Sequence, residues 1–433
     1  MAVNKTFCGG DPFWANACVG NNGEPGYIDY SRGFSKAANL LIDQFLADEG
    51  YELSVDDLVY PVCFNMRHSV ELRLKGAIEE LDKIARYKNV RIDFNFATSH
   101  DIGNIWRFFK SFSEGLDYRF REINSKIEDT ILDIATVDST GQTFRYPTDK
   151  DSKKHLVDVK SINFLILKNR FNELEENLDL LHRVNVFLCE EYNSGTFTSR
   201  LNRAQLYRIA SELPKKSTWP SGGLDSAKQK IINEYSLSNK DFSRALDKIK
   251  EHYYLSSLIG NPNPILGVAD EVLNKVLDFW VILHPDHNKE KDPEIVTFSG
   301  SNFKSMLDDI KRSAKLKSEI WAEISDDLSI ESLAGLRTLY YFEVNKKYVE
   351  IYPCIYMSQC AELNVLNEAE LKNSFMHILN KTNFMRSVLI SLFSLGFTGL
   401  AEDIIKKFSL KMRYIDDMRS RKFFAYPDFA DYK

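Results

Sequence analysis

Four polar residues between Tyr60 and Leu81 have side chains that could take part in proton transfer. They are Arg67, His68, Glu71 and Lys75. His68, Glu71 and Lys75 recur three and four residues apart, so they would share one face of a helix, and Arg67 flanks that face. An imidazole exchanges protons near neutral pH, and a guanidinium can stabilise the charge that develops on a phosphate. The row therefore marks a candidate acid–base site.

The opposite side of this segment is apolar. Its residues recur at helical spacing and indicate contact with neighbouring helices. They are Val70, Leu74, Ala77, Ile78 and Leu81. A half-buried polar row on such a helix needs partners, and the nearest candidates are His100 and Asp101, at the start of a later predicted helix.

Three motifs, in order, resemble those of the HEPN superfamily. HEPN domains show a helix with a Glu-x-x-x-Lys element, then a helix that starts with a His-Asp-Leu-like sequence, then an Arg-Tyr-Pro loop. The matching residues are Glu71 with Lys75, His100-Asp101-Ile102, and Phe144-Arg145-Tyr146-Pro147. The segment from Tyr30 to Leu41 is similar to the lead-in helix of prokaryotic members. The resemblance covers about residues 27 to 192, less than half of the chain.

The resemblance implies a metal-independent endoribonuclease of bacterial toxin or antiphage defence, active as a homodimer without a cofactor. Many HEPN ribonucleases carry an Arg and a His a few residues apart in a late helix, and this chain departs from that pattern. Nine residues lie between Arg145 and His155, and eleven lie between Arg170 and His182. Our hypothesis instead combines catalytic residues from several elements, with three further residues in binding. The catalytic set is Arg67, His68, Glu71, His100 and Arg145, and the binding set is Lys75, Asp101 and Tyr146.

A second interpretation treats the same residues as a satisfied polar network between helices, since buried polar groups require partners in any case. The domain would then be a non-catalytic HEPN-like scaffold that binds a partner protein or a nucleotide. The partners expected are RNA, a second copy of the chain, and a partner protein for residues 196–433.

Metal and nucleotide motifs give little support to other functions. Two imidazoles, His284 and His287, lie close to the Asp286 carboxylate in the sequence. No further protein ligand with a recognisable spacing accompanies them, so we interpret them as part of a solvated loop. Ser221-Gly222-Gly223 lacks the Lys-Ser/Thr ending of a phosphate-binding loop.

Composition limits the setting of the protein. The net charge of -6 over 433 residues gives no global basic surface, so a nucleic-acid contact would use a local group of Arg and Lys. Six scattered cysteines indicate reduced thiols, and the amino terminus lacks the apolar segment of a signal peptide. No apolar run reaches the roughly 20 residues that span a bilayer. We therefore expect a cytoplasmic protein with no membrane contact.

Apolar spacing predicts a mainly α fold with two regions. Residues 1–26 are an expected loop or arm, 27–195 a HEPN-like helical bundle, and 196–433 an all-α region with a further division considered near 284–300. Alternating apolar residues predict short strands at Val90 to Phe96 and Ile295 to Phe298. Helices are expected at 35–45, 58–84, 99–112, 117–134, 157–192, 202–213, 224–235, 239–255, 265–283 and 304–324, with helical hairpins over 333–410. Residues 411–433 are expected to form a surface extension.

Overall fold

The structure of the protein, a computed structural model, describes residues 4–49, 51–286 and 303–432. Over these ranges the regular structure is helical and contains no β-strand, which confirms the prediction of a mainly α fold. The chain divides into two compact units, residues 1–193 and 194–433.

Within residues 4–49 and 51–193, the first unit is a bundle of five α-helices preceded by a short 3-10 helix at Phe13–Ala15. The α-helices are α1 (Tyr27–Asp48), α2 (Val55–Tyr87), α3 (Ile102–Leu116), α4 (Phe120–Val137) and α5 (Phe164–Asn193). Helix α2 contacts α1, α3 and α5, and α4 packs against α3 and α5. The longest helix therefore lies at the centre of the bundle, and it carries the polar row.

Local chemistry explains where α2 begins and how closely it packs. The Ser54 side chain accepts a hydrogen bond from the Asp57 backbone N–H, which caps the helix, and acidic residues fill the first turn. Gly76 faces α1, where a Cβ atom would lie 3.0 Å from the side chain of Ile28. Glycine at this position therefore permits the close approach of α1 and α2.

The strand predicted at Val90 to Phe96 is absent, and the segment is irregular. Its alternation is nevertheless reflected in burial, because Ile92, Phe94 and Phe96 are half-buried while the residues between them are exposed. Phe94 packs against Phe108 of α3 with ring centroids 4.9 Å apart. The prediction was wrong because these side chains pack on helices, and no neighbouring strand supplies a backbone ladder.

The helix predicted from Val157 begins at Phe164 instead. The Asn163 side chain accepts hydrogen bonds from the backbone N–H groups of Leu165 and Ile166, at 2.9 and 3.1 Å. Residues 138–163 form an irregular connection with one isolated β-bridge between Thr148 and Lys154. Apolar residues before Asn163 thus belong to this loop, and a capping residue sets the helix start.

The described residues of the second unit form twelve further α-helices. They are α6 (Arg203–Glu212), α7 (Asp225–Glu234), α8 (Asn239–Glu251), α9 (Tyr253–Leu258), α10 (Asp270–Leu283), α11 (Phe303–Ile324), α12 (Ile330–Tyr341), α13 (Tyr352–Leu363), α14 (Glu368–Leu379), α15 (Phe384–Leu395), α16 (Thr398–Lys407) and α17 (Arg413–Arg419). Short 3-10 helices lie at Lys216–Ser221, Phe342–Asn345, Val349–Ile351, Lys422–Phe424 and Asp428–Ala430. Helix α15 is buried along almost its whole length and contacts α9, α12, α16 and α17.

Two predicted helices of this unit differ in their bounds. The helix predicted over 239–255 is divided at His252, whose Nδ1 accepts a hydrogen bond from the Leu255 backbone N–H at 3.1 Å and caps α9. The helix predicted from Ile265 begins at Asp270. The strand predicted at 295–298 and most of the boundary considered at 284–300 lie outside the described residues.

Residues 411–433 were predicted to be a surface extension, and this prediction was wrong. Helix α17 buries Ile415 and Met418, and Phe424 is buried beyond it. The hydroxyls of Tyr426 and Tyr432 each accept a hydrogen bond from Arg203 at 2.8 Å. Two tyrosines of this polar and aromatic segment therefore supply hydrogen-bond acceptors to a buried guanidinium.

Candidate functional site

Arg67 holds α2 to two loops of the first unit. Its buried guanidinium donates from Nε to the Asp138 carbonyl at 3.2 Å and from Nη2 to the Ser139 carbonyl at 2.7 Å. Nη2 also donates to the His100 carbonyl, and Nη1 donates to Glu71. The loop after α4 and the loop before α3 are therefore both fixed to the helix that carries the polar row.

Glycine is required where this loop passes the guanidinium. Gly141 has φ +80°, a conformation that L side chains rarely adopt, and a Cβ there would lie 3.2 Å from Nη1 of Arg67. The sequence Ser-Thr-Gly after Asp138 thus makes a turn that presents carbonyl oxygens to Arg67.

Glu71 is the centre of the polar row, and its carboxylate is buried. Oε1 accepts a hydrogen bond from Nζ of Lys75 at 2.9 Å and lies 3.1 Å from Nδ1 of His100, while Nδ1 of His68 is 3.9 Å from Oε2. Burial would raise the pKa of Glu71, but the His68, Lys75 and Arg67 side chains outweigh burial and hold this pKa well below its ordinary range. The carboxylate is therefore ionised at neutral pH.

The two histidines beside Glu71 are open to solvent to different degrees. The side chain of His100 is 58% exposed and that of His68 is 30% exposed. His68 lies between two aromatic rings: Phe64 stacks on it with centroids 5.6 Å apart, and Phe34 of α1 meets it edge-on at 4.5 Å. These rings fix the plane of the imidazole and leave part of it accessible.

Arg145 and Tyr146 extend the site at its exposed side. The Arg145 guanidinium lies 5.6 Å from the centroid of Phe64 and 5.3 Å from that of Tyr146, within the range of cation–π contact. Both residues are exposed. Phe64 thus contacts Arg145 and also His68, so the Arg-Tyr-Pro loop lies beside the polar row.

Asp101 has a structural contact instead of facing Glu71. Its Oδ1 accepts a hydrogen bond from the Asn104 backbone N–H at 2.8 Å and caps α3. The structure therefore brings Arg67, His68, Lys75 and His100 around Glu71, places Arg145 and Tyr146 beside Phe64, and gives Asp101 a capping contact.

This arrangement suits acid–base chemistry. If Nδ1 of His100 carries the proton shared with Glu71, its Nε2 is left as a hydrogen-bond acceptor, and the buried carboxylate orients the ring. His68 provides a second imidazole near the same carboxylate, and Arg145 provides an exposed cation. The geometry can therefore hold a base, an acid and an anion-stabilising group near one another.

The described residues contain no group of three or more His, Cys, Asp or Glu side chains arranged to hold a metal ion. His284 packs against Trp280 with ring centroids 4.8 Å apart and ring planes tilted by 35°, and its Nε2 lies 3.0 Å from the Leu379 carbonyl oxygen. His287, the second imidazole considered for a metal, lies outside the described residues.

Sequence reasoning missed the aromatic neighbours of His68. Phe64 is four residues before His68 on the same helix, and this spacing could have identified it. Phe34 comes from α1, and nothing in the local sequence pairs it with His68. The carbonyl acceptors at 138 and 139 carry no side-chain signal at all.

No protein-family model, curated protein or solved structure matches the chain. Within the described part of the chain, every helix is too short or too polar to cross a bilayer. The likeness to HEPN domains therefore rests on the motifs themselves.

Proposed function

We propose that the first unit is a metal-independent endoribonuclease that cleaves RNA at the site around Glu71. One observation carries the proposal: two partly exposed imidazoles flank a single buried, ionised carboxylate, with His100 Nδ1 at 3.1 Å and His68 Nδ1 at 3.9 Å. A surface histidine does not need a buried partner, whereas a general base benefits from one that orients it and stabilises its protonated form.

The proposed reaction is transfer of the RNA phosphate to its neighbouring 2′-hydroxyl. His100 Nε2 takes the 2′-hydroxyl proton while the 2′-oxygen bonds to phosphorus. The bond from phosphorus to the 5′-oxygen then breaks, and His68 gives a proton to that leaving oxygen. The products are a 2′,3′-cyclic phosphate and a 5′-hydroxyl end. Arg145 stabilises the charge on the non-bridging oxygens during transfer.

Besides Asp101, which caps α3, three residues of the predicted catalytic and binding sets have other roles in this scheme. Arg67 and Lys75 are buried with side chains 3% and 5% exposed, so they position Glu71 instead of meeting RNA. Glu71 is likewise a positioning residue, since it acts through the imidazoles. Tyr146 lies beside Arg145 on the exposed loop, where its ring could stack on a base.

The assembly and biological setting follow from the same resemblance. A homodimer would bring two sets of His100 and Arg145 together, which suits a chain whose net charge of -6 offers no broad basic surface for RNA. A role in toxin or antiphage defence would fit an RNA-cleaving first unit and a second unit, residues 194–433, that senses a trigger or binds a partner protein.

A specific observation favours a second candidate, the non-catalytic scaffold. The Arg67 guanidinium donates hydrogen bonds to three backbone carbonyls and to Glu71, as expected for a side chain whose role is to fix loops. Under this alternative the polar row serves folding, and the exposed loop at Arg145 binds a partner protein or a nucleotide.

The test is incubation of the purified full chain with total RNA in the presence of a metal chelator. We expect fragments that end in 2′,3′-cyclic phosphate, and their loss in His100→Ala and Arg145→Ala. Matched controls are His377→Ala and Arg86→Ala, which change an exposed histidine in the second unit and an exposed arginine at the end of α2. Intact RNA with the wild-type chain, alone and with candidate triggers, would favour the scaffold.

A further inference from the structure

A cavity of about 460 Å³ lies beside the polar row, and Arg67 is one of its lining residues. Its walls come from α2, α4, the first turns of α5 and the loop between α4 and α5. The volume is within the range of small-molecule sites, which is roughly 300–1,000 Å³. Ile166 lines the cavity yet is 66% exposed, so it marks the rim.

The walls are largely apolar. Met66, Ile134, Phe144, Ile162 and Leu167 are among the lining residues. Cys63 also faces the cavity, and burial raises the pKa of its thiol to about 12, so it adds no negative charge. An apolar molecular body would therefore replace water on these surfaces.

The charged groups in the lining are two guanidinium groups and one carboxylate, those of Arg67, Arg170 and Asp133. Arg67 is buried, whereas Arg170 is partly exposed. The carboxylates nearest Arg170 are those of Asp133 and Glu173, at 3.8 and 3.6 Å, beyond hydrogen-bond distance. Both carboxylates are more than half exposed, so water screens them. The Arg170 guanidinium can therefore accept a closer anion.

We propose that this cavity binds an amphipathic organic anion, with a compact apolar body inside and a carboxylate, sulfonate or phosphate end at Arg170. The bound molecule would also act on the polar row, because Arg67 lines the cavity and donates hydrogen bonds to Glu71 and to the His100 carbonyl. Binding stands apart from the ribonuclease proposal, whereas any regulatory effect rests on it.

The binding test uses 1-anilinonaphthalene-8-sulfonate, a fluorescent molecule with an apolar body and one anionic end, added to the full chain. We expect saturable binding of one probe per chain. Ile166→Glu should weaken binding at least about tenfold, because it adds a like charge at the rim. The matched control is Leu165→Glu, since Leu165 is 57% exposed on the same turn and does not line the cavity.

A second variant tests the anionic end. Arg170→Ala should weaken the sulfonate probe about fivefold or more, as expected for loss of a charge-assisted contact. It should leave binding of N-phenyl-1-naphthylamine, the uncharged analogue, nearly unchanged. Equal effects of Ile166→Glu and Leu165→Glu would overturn the cavity assignment, and equal effects of Arg170→Ala on both probes would overturn the anion preference.

The link to the polar row has a readout separate from RNA cleavage. In NMR spectra of the full chain, the ring signals of His100 should shift as the sulfonate probe saturates the cavity, while those of His377 stay constant. A probe that binds without moving the His100 signals would refute the link. A shift in a chain that cuts no RNA would preserve the link and refute only the ribonuclease proposal.

Discussion

Neutralising Glu71 tests how much the polar row contributes to the stability of the first unit. The variant Glu71→Gln keeps the size of the side chain and removes the charge that two buried cations share. Those cations are Arg67 and Lys75, with side chains 3% and 5% exposed. Breaking a buried ion pair costs about 3–5 kcal/mol, and the remaining amide oxygen still accepts one hydrogen bond, so we expect about 3 kcal/mol.

The expected loss is large enough to measure by two methods. For a unit of this size, about 3 kcal/mol corresponds to a fall in Tm of roughly 6–12 °C. Hydrogen exchange on peptides from residues 55–87 should report the opening of α2 in the first unit by itself. The control is Glu128→Gln, which removes a partly exposed pair with Lys110 and should cost less than about 1 kcal/mol.

The pH dependence of stability gives a second test of the role of Glu71. The pKa of Glu71 is depressed in the folded state, so its ionisation stabilises the fold fully above its unfolded pKa of about 4.3. This stabilisation is lost as pH falls from that value toward the folded pKa. The difference in the free energy of unfolding between wild type and Glu71→Gln should therefore shrink below pH 4, by at most about 1.4 kcal/mol per pH unit. A difference below about 1 kcal/mol at pH 7, or one that stays constant to pH 3, would refute this account.

Three further predictions concern Arg119, Tyr432 and Arg145. Arg119→Met removes the cation that pairs with two buried carboxylates, so it should destabilise the first unit by about 3–5 kcal/mol in urea unfolding. The control Arg86→Met removes an exposed pair and should change stability by less than about 0.5 kcal/mol. Tyr432→Phe removes one acceptor from buried Arg203 and should cost about 1–3 kcal/mol in the second unit, measured by hydrogen exchange of α6; unchanged protection would contradict this. Arg145→Lys should lower RNA cleavage at least about tenfold with an unchanged Tm, and equal rates would exclude Arg145 from the chemistry.

Spacing along one helix was enough to predict the centre of the candidate site. His68, Glu71 and Lys75 share a face of α2 because residues three and four apart are always neighbours on a helix. The contacts of Arg67 with the two loops were beyond this reasoning. Three of its acceptors are backbone carbonyls more than 30 residues away, and a carbonyl has no residue type that a sequence could display.

The errors in the fold have a common physical cause. The alternation of apolar and polar residues at 90–96 indicates which side chains are buried, but it does not indicate whether a strand or a helix covers them. The charged and aromatic composition of 411–433 likewise resembles a solvated tail, although its aromatic hydroxyls serve a guanidinium over 200 residues away. Local patterns describe burial and periodicity, and long-range partners decide the structure.

The role of Tyr426 and Tyr432 bears on the order in which the protein matures during synthesis. The second unit cannot complete the surroundings of Arg203 until residue 432 has been added, whereas the first unit is complete at residue 193. At the usual rate of about 5–20 residues per second, the intervening residues take between roughly 12 and 48 seconds to make. All residues of the first unit are therefore synthesised before the second unit can be finished, and any restraint that the second unit exerts begins only afterwards.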